Sequence, residues 1–135
     1  MQCIENGLCQ VLNLNDKIDE ILISNNYNYR MTNEYIGKNL ALEAIDKNNA
    51  SAIIMAPINN NPGQYWRIVQ LENNVYSLHN RLFNDSYSAE IIDDEMFMKL
   101  RMAPTRNSRE QHWCLFSMSN HPNQQYWNLT RITEI

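Results

Sequence analysis

Apolar and polar positions alternate through most of this chain in short runs, and Asn, Asp, Gly or Pro closes each run. Such a period of two, broken by turn residues, predicts strands rather than helices. Tyr29-Arg30-Met31-Thr32-Asn33 reads as one strand, with Tyr29 and Met31 on the same face. Gly37-Lys38-Asn39 turns the chain, and Leu40 and Leu42 open a second strand that ends at Asp46. After a turn at Lys47-Asn48-Asn49, Ala52-Ile53-Ile54-Met55 forms a third strand, stopped by Pro57 because proline cannot donate to a ladder. An Asn/Pro/Gly loop from Asn59 to Gly63 precedes a fourth strand, which begins Trp66-Arg67-Ile68-Val69 and turns at Asn73-Asn74.

The same plan then comes round again. Gln64-Tyr65-Trp66 and Gln111-His112-Trp113 stand 47 residues apart. At that offset Tyr29 meets Tyr76, Asn33 meets Asn80, Glu43 meets Glu90, and Ile45-Asp46 meets Ile92-Asp93. Met55-Ala56-Pro57 meets Met102-Ala103-Pro104, and Asn60 meets Asn107. Identities in one fixed register, without a gap, mark two copies of one supersecondary unit, 29–75 and 76–122. A third Gln-x-Trp, Gln125-Tyr126-Trp127, follows only 14 residues after the second, so a third unit has lost its middle. The segment 9–24 is the candidate to fill that gap. Its runs Val11-Leu12-Asn13-Leu14 and Ile21-Leu22-Ile23 flank the turn signal Asn15-Asp16-Lys17, as in a hairpin. A helix through Leu14, Ile18, Ile21 and Leu22 has acceptable spacing as well.

Composition narrows the function. A chain of 135 residues with no linker-like tract is expected to be one domain, 1–135. Its net charge of −4 argues against a nucleic-acid binder, which needs a basic face, and against a polybasic membrane surface. No apolar run reaches the length of a signal peptide or of a membrane span. The chain as written is therefore expected to be cytoplasmic, with export by a non-classical route or within a complex left open. The three cysteines, Cys3, Cys9 and Cys114, have no CxxC spacing, and a reducing compartment is the default expectation; one bridge from Cys3 or Cys9 to Cys114 is the alternative. His79, His112 and His121 show no metal-ligand spacing, only three glycines are present, and nothing nominates a base for a cysteine nucleophile. No cofactor, no metal and no catalysis are expected.

Three Gln-x-Trp motifs, two of them on a repeat of four strands, resemble the R-type (ricin B-like) lectins. The local pattern Tyr-Arg-Met-Thr-Asn, Leu-Glu-Ala-Ile-Asp and Gly-Gln-Tyr-Trp-Arg-Ile is similar to microbial and fungal members. The similarity spans about 29–116 and 123–132. It implies an all-β fold, the β-trefoil, with two clear 47-residue repeats and an abbreviated third lobe completed by the N- and C-terminal segments. It also implies that Trp66, Trp113 and Trp127 plug the centre of the fold. The implied function is glycan binding, of galactose type, in shallow weak sites of repeats one and two. Glu43 and Glu90 match the family's sugar-binding carboxylate, one carbon longer than the usual Asp. Asp46 and Asp93, Gln64 and Gln111, and Asn60 and Asn107 complete the two expected sites. The sequence departs from the family at the stacking aromatic of the third strand. Phe97 is the nearest candidate in repeat two, and Gly63 and Glu110 stand where Asn is common. This departure sustains an alternative, a trefoil scaffold that grips a protein partner through loops 57–63 and 104–110. A homo-oligomer whose subunits complete one another's third lobe is a third expectation.

Overall fold

The computed structural model describes residues 2–3, 10–15, 23–33, 36–47, 50–94, 97–118 and 127–134. Among them the chain is all-β. The strands are β1 (Gln2–Cys3), β2 (Gln10–Asn15), β3 (Tyr27–Thr32), β4 (Leu40–Lys47), β5 (Ala50–Pro57), β6 (Trp66–Glu72), β7 (Val75–Asn80), β8 (Tyr87–Asp94), β9 (Phe97–Pro104), β10 (Trp113–Met118) and β11 (Asn128–Glu134). The expected prolines do end β5 and β9. Asn74, in the predicted turn after β6, takes φ of 64°, a left-handed conformation that asparagine tolerates. Single 3-10 turns at Pro62–Gln64 and Arg109–Gln111 precede β6 and β10.

A nine-stranded sheet runs β1-β2-β10-β7-β6-β3-β4-β5, with β11 added beside β3, and curls into a half-barrel. The β8–β9 hairpin forms a separate two-stranded ladder. Most neighbours are antiparallel, but β2 lies parallel to β10 from Trp113↔Gln10 to Met118↔Asn15. Of the expected hairpin at 9–24, Leu14 lies in a strand rather than a helix; residues 16–22 lie outside those described.

The 47-residue register is a register of hydrogen bonds as well as of letters. The β4–β5 ladder runs from Leu40↔Pro57 to Lys47↔Ala50, and the β8–β9 ladder from Tyr87↔Pro104 to Asp94↔Phe97. Tyr29 pairs with Trp66, and Tyr76 with Trp113. Ile58 N–H donates to the Asn39 carbonyl at 3.0 Å, and Thr105 N–H to the Ser86 carbonyl at 2.7 Å. Each pair of bonds differs by the same offset.

Trp66, Trp113 and Trp127 sit in one core cluster with Tyr29, Met31, Leu42, Ile68 and Leu78. They are 0%, 0% and 2% exposed. An aromatic side chain of this kind removes on the order of 150–250 Å² from water, so each of the three is a large contributor to the burial that holds the strands together. Their polar edges differ. Trp66 Nε1 donates to the Leu42 carbonyl at 2.9 Å and Trp113 Nε1 to the Ala89 carbonyl at 3.2 Å. Trp127 Nε1 is buried, with no hydrogen-bond partner among the described residues. Cys114, on β10, is buried and disulfide-bonded, which corrects the expectation of reduced thiols at this position; its partner lies outside the described side chains. Among the described residues no helix is long and apolar enough to cross a membrane.

Candidate functional site

Each 3-10 turn swings a glutamine under the end of the third strand of its repeat. Gln64 is 0% exposed and Gln111 1% exposed. Gln64 Nε2 donates to the Pro57 carbonyl and to Glu43 Oε1, both at 2.8 Å, while its Oε1 accepts the Asn59 N–H at 3.1 Å. Gln111 repeats all three contacts: Nε2 to the Pro104 carbonyl at 2.9 Å, Nε2 to Glu90 Oε1 at 3.4 Å, and Oε1 from the Arg106 N–H at 2.9 Å. An amide with both donors and its acceptor occupied is the fastening of a loop. The structure thus brings Glu43 to Gln64 and Glu90 to Gln111, as the repeat predicts.

The two carboxylates meet different surroundings. Glu43 is half-buried. Glu90 is 2% exposed and lies between two arginines. Arg101 Nε donates to its Oε2 at 2.9 Å, and Arg106 pairs with its Oε1. The two matching positions are therefore not alike: Glu90 is a buried, charge-compensated group. Burial of a carboxylate is tolerable only with such partners. At the positions of Arg101 and Arg106, repeat one has Ile54 and Asn59.

Around Arg101 and Arg106 opens a cavity of about 780 Å³. Phe83 and Tyr87 form one wall, their ring centroids 5.7 Å apart and tilted by 46°. Asn84 lines it too, as does Asp46 of the β4–β5 hairpin. That hairpin is anchored across the gap by Ser51, whose Oγ donates to the Met102 carbonyl at 2.7 Å and accepts the Met102 N–H at 3.0 Å. Glu90 and Gln111 lie behind this lining rather than in it. Asn60 and Asn107 are exposed on their loops, and Asp46 is exposed at the cavity. Asp93 pairs with Met98 in the β8–β9 ladder, and its side chain lies outside those described, as does that of Phe97.

The sequence reading missed the ring wall and the arginines. The signal was present in the aligned repeats: Phe83 and Tyr87 stand where repeat one has Ile36 and Leu40. Both rings come from the connection into the second strand and from its first residue, not from the third strand.

A second, smaller cavity of about 330 Å³ is lined by Arg67, His79 and Asp85 among others. His79 Nδ1 lies 2.8 Å from the Tyr87 carbonyl and Nε2 2.9 Å from Ser77 Oγ. A carbonyl only accepts, so the proton is on Nδ1 and Ser77 donates to Nε2. Burial pulls the His79 pKa below its ordinary value, and the nearby Arg67 charge adds to this, against the Tyr87 carbonyl and Asp85. At Glu110 the Ser108 hydroxyl holds the carboxyl below the usual range. Among the described residues no group of three or more His, Cys, Asp or Glu is placed to hold a metal ion.

Compared with family models, with curated proteins and with solved structures, the chain matches none.

Proposed function

We propose that this chain is a carbohydrate-binding protein of the R-type (ricin B-like) lectin kind, a β-trefoil without catalytic activity. The observation that carries this reading is the ring-walled, polar cavity of repeat two. Sugar sites combine an aromatic face for the C–H side of the ring with fixed polar groups for its hydroxyls. Phe83 and Tyr87 supply the first, and Asp46, Asn84, Arg101 and Arg106 the second. The repeated fastening of Gln64 on Glu43 and Gln111 on Glu90, under indoles that bond to the second strand, supports the trefoil reading. In repeat one, Glu43 takes one bond from Gln64 through Oε1 and keeps acceptor capacity for sugar hydroxyls. Two weak sites on one body gain avidity on a multivalent glycan surface.

A glycan array of the folded, monodisperse protein tests the reading, with Glu43→Gln and Tyr87→Leu reporting on the two sites. Binding to a coherent glycan set, weakened at least about tenfold by one of these variants, supports it. Silence across the array overturns it in favour of a protein partner held by loops 57–63 and 104–110.

A further inference from the structure

We propose that the repeat-two cavity selects an acidic sugar, a pyranose bearing a carboxylate or sulfate, while the repeat-one site takes neutral hydroxyls. The proposal rests on the carbohydrate-binding reading and names the ligand class of one of its two sites. It follows from what stands around two homologous glutamates. Glu43 faces no arginine at the repeat-equivalent positions, which are Ile54 and Asn59. Glu90 is enclosed, and two cations are drawn onto it.

A buried carboxylate between two guanidinium groups carries one negative charge against two positive ones. Its oxygens are taken by Arg101, Arg106 and Gln111, so it has little left to offer a hydroxyl. The arginines have more to give. Each guanidinium holds five N–H donors in a rigid fork. Arg101 commits its Nε to Glu90 and Arg106 a terminal nitrogen, and both side chains remain about half exposed, at 48% and 50%. They line the cavity in orientations already fixed by Glu90. Fixing a long side chain beforehand removes much of the entropy cost of recognition. Guanidinium forks match carboxylate and sulfate better than they match hydroxyl.

The other charge in the lining, Asp46, enters from the opposite hairpin and is exposed. A small free anion between two arginines would meet that carboxylate without benefit. A sugar ring with an acidic substituent uses both sides: its anion on the arginines, its hydroxyls on Asp46, its apolar face on Phe83 or Tyr87. The cavity therefore prefers an anion carried on a ring to an anion alone.

The test is a titration, followed by NMR, of the intact chain with methyl β-D-glucuronide, with methyl β-D-glucoside, which lacks only the carboxylate, and with acetate as the ring-free anion. The glucuronide is expected to bind at least about tenfold more tightly than the glucoside or acetate, as one charge-assisted bond requires. Its shifts should centre on the Arg101 and Arg106 side chains and on Tyr87. Tyr87→Leu, which installs the residue of repeat one, should weaken it about tenfold. Arg106→Lys, which keeps a charge on Glu90 but removes the fork, should weaken it severalfold without unfolding the chain. Equal binding of glucuronide and glucoside overturns the proposal, and so does indifference to both variants. Acetate binding as tightly as the glucuronide overturns it as well. A chain that binds neutral glycans through Glu43 and ignores the glucuronide loses this proposal and keeps the lectin reading. A folded chain that binds no glycan at all loses both.

Discussion

At Leu42 and again at Ala89, a second-strand carbonyl accepts a tryptophan N–H. At Ile54 and Arg101, the same 47 residues apart, one repeat has an exposed aliphatic where the other has a cation bound to a buried carboxylate. The first pair belongs to the wiring of a repeat and the second to its surface. The wiring is kept bond for bond: a glutamine amide under a proline carbonyl, a carboxylate beside it, an indole on the strand above. The surface is rebuilt: Ile36, Leu40, Ile54 and Asn59 in one repeat, Phe83, Tyr87, Arg101 and Arg106 in the other. A scaffold whose loops are held by backbone carbonyls can change what it presents without changing how it folds.

The comparison breaks most easily at Glu90. Arg101→Met combined with Arg106→Met leaves this carboxylate buried without a cation. The expected loss is about 2–3 kcal/mol, lower than the roughly 3–5 kcal/mol of a fully buried pair because the arginines stand half in water. Chemical denaturation measures it, and Ile54→Met at the matching place in repeat one should stay within about 0.5 kcal/mol. A loss below about 1 kcal/mol in the double variant would mean that Glu90 finds water.

Gly63 and Glu110 offer the next contrast. A Cβ on Gly63 would lie well inside contact distance of the Ala44 carbonyl oxygen, a backbone atom that cannot step aside. Gly63→Ala should cost about 1–3 kcal/mol as an overpacked site. Glu110→Ala, on the roomier turn of repeat two, should cost less than about 0.5 kcal/mol. Equal melting temperatures of the two variants would show that both turns approach their second strand alike. Gln64→Leu and Gln111→Leu sharpen the likeness instead. Each strips the same loop bonds, so each should cost about 1–2 kcal/mol, and the two losses should agree within about 0.5 kcal/mol. A twofold disparity would show that the shared bonds carry unequal weight.

The smallest effect is one of pH, and it belongs to repeat two alone. Unfolded His79 takes a proton near pH 6.5, whereas burial lowers its affinity in the folded state. Between those two values the unfolded chain binds more protons, so stability rises with pH. The contribution is complete above pH 6.5 and drains away as the pH falls through that value toward the lowered folded pKa. Melting temperatures across this range, compared with those of His79→Gln, isolate the slope. A slope that survives the substitution belongs to another group.

Strands were the most legible feature of the sequence, because period-two alternation and stop residues act locally. Pro57, Pro104 and Asn73-Asn74 closed strands in the structure as they do on paper. The repeat was legible because a fixed offset survives when individual residues change. The parallel seam of β2 on β10 was not legible: partners about a hundred residues apart leave no local mark. Nor was the inequality of Glu43 and Glu90, since identical letters say nothing of burial. It could have been read from their neighbours, where two arginines replace Ile54 and Asn59. The disulfide at Cys114 was legible only as an alternative, because three cysteines without a motif spacing favour no one pairing.

The three tryptophans also make the protein its own spectroscope. In an 15N-resolved NMR spectrum each indole proton gives one resonance. Those of Trp66 and Trp113, bound to carbonyls, should lie downfield, whereas that of Trp127, enclosed and with no acceptor among the described residues, should lie upfield of both. One label thus yields three separately readable probes, and the odd one out marks where the sequence repeat is cut short.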